Sequence, residues 1–286
     1  MNNQIYPCLW FDGKAREAAT FYCSVFSAGP GGEDSKITAD TPMVVTFELA
    51  GKKFMGLNGG SMFTINPSIS MFVTCSSNDE IVNYWNKLSE GGSPLMPLDK
   101  YPWSEKYGWI KDKFGMTWQL MLGDVAQTGQ KINSSFLFAN KQFGKAREAI
   151  DLYTSIFPKA KIHQQELYKA GEGQPEGYLK FGHFSLNNET FAAMDGPGDH
   201  EFNFGEGLSI VVNCDTQEEI DHYWDKLTSN GGAESQCGWL KDKYGVSWQI
   251  VPTVLGKLMS DPEKSPRVIQ AFMKMKKFNI EALLNA

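Results

Sequence analysis

The 286-residue sequence predicts an α+β protein in which one fold occurs twice in tandem, followed by a C-terminal helical arm. Three observations carry the prediction. Long motifs recur in the same order. GKAREAATFYCSVF at 13–26 returns as GKAREAIDLYTSIF at 144–157, and NDEIVNYWNKL at 78–88 returns as QEEIDHYWDKL at 217–227. GWIKDKFGMTWQL at 108–120 returns as GWLKDKYGVSWQI at 238–250. A period of roughly 130 residues is too long for a solenoid, so whole domains are repeated. Each half reads as β-α-β-β-β followed by β-α-β-β-β, and helix start and stop signals fall at matching places. The domains run over 1–124 and 132–255, with a polar, Gly-containing linker at 125–131 and the arm at 256–286.

The elements follow in order. An apolar strand (IYPCLWF, or SSFLFA in the second half) leads into a helix. Ala18, Phe21, Tyr22, Val25 and Phe26 form one buried stripe on it, repeated by Ala149, Leu152, Tyr153, Ile156 and Phe157. Strand-like runs follow, MVVTFEL and KKFMGL against LKFGHFSL and TFAAM; one early strand per half is faint. A further strand (ISMFVTC or LSIVVNC) feeds the second helix. Ser77 with Glu80, and Thr216 with Glu219, have the spacing of a capping box, and Gly-Gly at 91–92 and 231–232 ends each helix. The repeated hairpin closes each half. The arm opens on a Ser/Asp-Pro helix start and carries Val268, Ile269, Phe272 and Met275 at helical spacing.

In the hairpin, the strand period of two sets Met116, Trp118 and Leu120 against Thr117 and Gln119, and Val246, Trp248 and Ile250 against Ser247 and Gln249. The tryptophans belong to the core. Gln119 and Gln249 face whatever the sheet encloses, as site residues or as cross-strand hydrogen-bonding pairs. Lys111, Asp112 and Lys113 read as a solvated turn with Asp bonding to nearby backbone.

Bulk properties narrow the function classes. A net charge of −6 argues against a nucleic-acid surface, and no apolar run approaches the roughly 20 residues of a membrane span. The start MNNQIYPCLWFDG lacks the pattern of a signal peptide. Five cysteines without a C-x-x-C point to reduced thiols and the cytoplasm.

The pattern PCLWFDGKAREAATFY, the capped Y-W-x-K-L helix with Gly-Gly after it, and G-W-x-K-D-K-x-G-x-x-W-Q resemble the PhnB-like branch of the vicinal oxygen chelate superfamily. That superfamily contains glyoxalases, bleomycin-resistance proteins and extradiol dioxygenases, and the resemblance covers nearly the whole chain, twice. It implies paired βαβββ modules curled into cups. In the metal enzymes His, Gln or Glu from the first and last strands hold a divalent ion. Carried over, Gln119 and Gln249 match the last-strand ligand, whereas the first strands carry no His. The resemblance therefore implies no cofactor, with Gln119, Glu48 and Gln249 as the metal ligands if there is a metal.

Other candidates are His183, the only His in a strand-like run, where the first half has Thr46, and Glu48 on the Thr46 face. His163, His200 and His222 read as surface. The stretch 93–107 reads as a long loop that brings Tyr101, Trp103 and Tyr107 to the mouth of a cup. Cys237, standing where the first half has Tyr107, reads as packing. The expected function is metal-independent binding of an apolar or aromatic small molecule; the alternative is a metal-dependent glyoxalase- or dioxygenase-type enzyme. A methyltransferase reading lacks its Gly-rich strand-to-helix turn, since GPGGEDS at 29–35 follows a helix and reads as a loop. The expected partner is a small-molecule ligand, not nucleic acid or membrane. The chain is expected as a monomeric pseudo-dimer or as a homodimer through the arm.

Overall fold

The structure, a computed structural model, describes residues 4–27 and 34–286. Residues 29–33 of the GPGGEDS stretch lie outside the described residues. The first half comprises β1 (Ile5–Phe11), α1 (Ala15–Phe26), β2 (Lys36–Asp40), β3 (Val44–Leu49), β4 (Lys52–Asn58), β5 (Ile69–Cys75), α2 (Asn78–Ser89), β6 (Ser93–Tyr101), β7 (Ser104–Lys111) and β8 (Thr117–Leu122). A short α3 (Val125–Thr128) leads to β9 (Ile132–Ala139), α4 (Ala146–Ile156), β10 (Lys161–Leu167), β11 (Leu179–Leu186) and β12 (Glu189–Gly196). The chain ends with β13 (Leu208–Cys214), α5 (Gln217–Thr228), β14 (Ala233–Glu234), β15 (Trp239–Lys241), β16 (Ser247–Pro252), α6 (Val254–Met259), α7 (Ser265–Phe272) and α8 (Ile280–Leu284). The expected βαβββ order thus occurs four times. The faint strands are β2 and β10. Both are sheet edges and mostly exposed, so burial imposes little apolar pattern on them.

Packing divides the chain into two compact units, Pro7–Leu208 and a smaller one of Met1–Tyr6 with Ser209–Ala286. In the larger unit, eight strands form one sheet in the order β10-β11-β12-β9-β5-β8-β7-β6. Its centre is the antiparallel pair β5–β9, with Ser70 opposite Ser135 and Phe72 opposite Asn133. Two modules pair into one curved sheet, as the fold class requires, but they come from different halves: the second of the first repeat and the first of the second. The same unit holds β1, β4, β3 and β2 side by side. Tyr22 and Phe26 of α1 fill the space behind the large sheet, their rings 5.2 and 5.0 Å from that of Trp118. Phe21 and Leu152, assigned to the buried stripes, are only half-buried.

In the smaller unit the order is β14-β15-β16-β13, with the Asn213 N–H donating to the Gln4 carbonyl at 3.0 Å. The arm folds onto this unit. Phe278 and Leu283 are buried, the Cys237 and Gly238 N–H groups donate to Met275 and Lys276 carbonyls, and Lys277 pairs with Asp221 at 2.8 Å. Thr216 and Glu219 make the full capping box, whereas Glu80 reaches back to the Ser76 N–H instead of to Ser77.

The repeated hairpin departs from expectation at its turn. Asp112 and Asp242, each 3% exposed, are buried rather than solvated. Asp112 accepts from the Phe114 and Met116 N–H groups and, at 2.8 Å, from the Trp118 indole; Asp242 does the same for Tyr244, Val246 and Trp248. Each aspartate ties its turn to the core tryptophan six residues on. The stretch 93–107 is likewise not a loop but the β6–β7 hairpin, which the second half shortens to two and three residues in β14 and β15.

Candidate functional site

Two glycines show which face of the large sheet α2 and α4 cover. A Cβ on Gly108 would stand 2.5 Å from the Trp85 ring of α2, and one on Gly182 would stand 2.7 Å from Ile150 of α4. The helices approach the sheet at these positions. Alternation therefore turns Tyr107, Trp109, Phe181 and His183 to the opposite, concave face. Gln119, beside Trp109 and Phe72 in register, shares it with Ser70 and Ser135. Phe72 and Phe181 stand three strands apart, about 14 Å on a flat sheet. Their ring centroids are 6.0 Å apart, so the sheet is curled and the rings meet across it.

Gln119 is 3% exposed and its amide is engaged on both sides. Nε2 donates to Ser70 Oγ at 2.6 Å and lies 3.5 Å from Ser135 Oγ, and Oε1 accepts from the Tyr107 hydroxyl at 2.8 Å. Burial, and then Tyr101, push the Tyr107 phenol well above its ordinary value, so it stays protonated and donates. Tyr107 continues outward into Tyr101 and Trp103, which stack at 5.0 Å; Trp103 is 57% exposed. An aromatic lip thus runs from solvent down to a neutral polar floor. In the smaller unit Gln249 repeats one element of this, donating to Ser209 Oγ at 2.8 Å.

The remaining sequence candidates fall elsewhere or combine in unexpected ways. Glu48 lies on β3, outside the large sheet that holds Gln119; it is paired with Lys36 at 3.6 Å and faces Lys53 in register. The structure does not bring Glu48 and Gln119 together as ligands of one ion. Cys237, half-buried, sits against the Phe272 carbonyl and the Met273 sulfur. His183 is on the concave face as alternation requires, and His163, read as surface, lies beside it with ring centroids 5.0 Å apart. The bulge in β10 falls at His163, which is exposed as expected, and Nε2 bonds Ser185 Oγ at 3.0 Å. Burial and then the neighbouring His163 lower the His183 pKa, opposed by a hydrogen bond to the Thr128 backbone; burial and then Lys161 lower that of His163.

Sequence reasoning missed Ser70, Ser135, Trp109 and His163. A signal existed for Ser70, because Ser209 occupies the same place in the other copy of the strand. None existed for His163, whose bulge depends on its neighbour strand. A separate concavity of about 510 Å³, lined in part by Lys52, Ser76, Asp124, Gln130 and Lys131, lies at the linker. Its lysines are already paired, Lys52 with Glu189 and Lys131 with Glu80.

Comparison with known proteins agrees with this architecture. A family model described as 3-demethylubiquinone-9 3-methyltransferase matches residues 3–121 and again 130–251. The chain belongs to that family. A PhnB protein of the family from Bacillus cereus is 37% identical over 41% of this chain and 98% of its own, with a TM-score of 0.37. The two matches of the family model give two such domains in tandem. Protein PA1353 from Pseudomonas aeruginosa is 26% identical over 40% of this chain and 93% of its own, with a TM-score of 0.33. Glyoxalase I from Zea mays, 10% identical, covers 90% of this chain and 96% of its own at a TM-score of 0.58 and shares the fold. No curated protein matches the chain. This family member accordingly carries the family's domain twice, on a fold shared with glyoxalase I.

The metal position that the resemblance implies can be tested on the residues that occupy it. In the large sheet the first strands of the two modules offer Ser70 and Ser135, and a last strand offers Gln119. All are neutral, and the Gln119 amide nitrogen points at the hydroxyls. A divalent ion needs several anionic, imidazole or carbonyl donors turned toward it, so these residues do not fit one. Among the described residues no group of three or more His, Cys, Asp or Glu side chains is placed to hold a metal. Among the described residues no helix is long and apolar enough to cross a membrane.

Proposed function

We propose that this protein binds a small apolar or aromatic molecule on the concave face of the large sheet, without a metal ion. The observation that carries the reading is the Gln119–Ser70–Ser135–Tyr107 set. Where the metal enzymes turn several His, Gln or Glu donors toward an ion, this chain has a neutral floor whose groups are hydrogen-bonded to one another, flanked by Trp109 and Phe72. Apolar walls around a few fixed polar groups are what small-molecule sites consist of.

The test is a native mass spectrum of protein purified without chelator or metal-affinity resin. An apo mass, or an organic adduct free of metal, is expected. One or two divalent ions per chain would overturn the reading in favour of a glyoxalase- or dioxygenase-type enzyme. The family's name supplies a different reading, methyl transfer to a quinone. S-adenosylmethionine is expected to leave the thermal midpoint unchanged; a rise that grows with its concentration would favour the transferase instead. Cytoplasmic residence and a monomeric pseudo-dimer complete the proposal. The tandem makes intramolecular a pairing that separate domains would make between chains.

A further inference from the structure

His183 is 7% exposed, and its Nε2 has no hydrogen-bond partner. The ring's bond to the Thr128 backbone is therefore made through Nδ1. A carbonyl partner there places the proton on Nδ1 and leaves Nε2 a bare acceptor. Burial keeps the ring neutral, so the lone pair persists. A buried acceptor without a donor is costly and uncommon in folded proteins, and it calls for an occupant. The neighbours define what that occupant is. Phe181 lies two residues back on the same face, with the Phe72 ring 6.0 Å from it. The adjacent His163 is engaged with Ser185. Flat apolar surface beside one bare acceptor suits a flat molecule with one O–H donor. An anionic group would meet the lone pair and be repelled.

We propose that the ligand is a hydroxylated aromatic molecule, its ring against Phe72 and Phe181 and its hydroxyl donating to His183 Nε2. This rests on the ligand-binding reading above and adds the chemical class. The probes are 2-naphthol and 2-methoxynaphthalene, equal in ring shape but differing in the donor, titrated calorimetrically into the full chain and into His183→Leu. The wild type is expected to bind 2-naphthol about three- to tenfold more tightly, the range of one net hydrogen bond. His183→Leu is expected to lose the preference while its affinity for the methoxy probe holds. A nitrogen NMR spectrum of the wild-type imidazoles supplies a readout that does not depend on the variant folding. The His183 Nε2 resonance is expected to shift with 2-naphthol and not with the ether. Equal affinities, a preference that survives His183→Leu, or an unmoved Nε2 would overturn the hydroxyl assignment and leave the binding face standing. Failure of both probes to bind would overturn the two together.

Discussion

Gln119 shows how much a single side chain depends on what surrounds it. Its Nε2 and Oε1 serve Ser70, Ser135 and Tyr107 together, so Gln119→Leu strands buried hydroxyls as well as losing its own bonds. A loss of about 1–3 kcal/mol is expected, read from the urea midpoint. Gln249→Leu, which breaks the Ser209 bond, should cost less. His183 makes the pH prediction. Its folded-state pKa is lowered, first by burial and then by His163, so as pH falls the unfolded chain takes up the proton first. The stability this residue contributes is full above the unfolded value of about 6.5 and is lost as pH drops through the folded value. Unfolding midpoints measured from pH 8 to pH 5 should fall at the acid end, and less steeply in His183→Gln. The alternation that puts His183 on the inner face was legible, because side-chain direction in a strand is local. That its Nε2 lacks a partner was not, since a strand's sequence does not say which groups curl toward it.

At the scale of elements, the twice-repeated hairpin is held by a buried aspartate. Asp112→Ala removes the acceptor for two backbone N–H groups and for the Trp118 indole. Burial pushes the Asp112 carboxyl up even as those bonds pull it down, a sign of how little water reaches the turn. A loss of about 3 kcal/mol is expected for Asp112→Ala and for Asp242→Ala, with Asp112→Asn milder, as thermal midpoints would register. The sequence reading had this turn's local bonds right and its burial wrong. Lys-Asp-Lys looks solvated because two of its three side chains are charged partners of water, while the third turns inward to a tryptophan six residues on. Periodicity likewise located α1, α2, α4 and α5, since each buries one face, but not the β6–β7 hairpin. Its edge strand is mostly exposed and carries Pro94 and Pro97, so neither apolar alternation nor β-propensity marks it.

For the molecule as a whole, the strand pair β5–β9 has the largest consequence. It joins the two repeats at the middle of one sheet, with α3 and the linker between β8 and β9. A chain ending at residue 124 would leave the β5 backbone from Ile69 to Val73 without its partner. Such an edge pairs with another copy, so this fragment is expected to elute from a sizing column as a dimer or larger species. A stable monomer would show that the β5 edge is covered in some other way.

The sequence by itself determined the duplication, the fourfold βαβββ order, the core place of Trp118 and Trp248, and the inward aspect of Gln119 and Gln249. These follow from periods of two and 3.6 residues and from copied motifs, all local or self-referential. Only the tertiary structure decided which modules share a sheet, that Gln119 is enclosed by two serines and a tyrosine, and that His163 joins His183 while Glu48 stands apart with Lys36. Those outcomes depend on strand pairing between distant segments. There the hydrogen bonds of one backbone are satisfied by another, and the side chains on the shared face become neighbours only once the pairing is made.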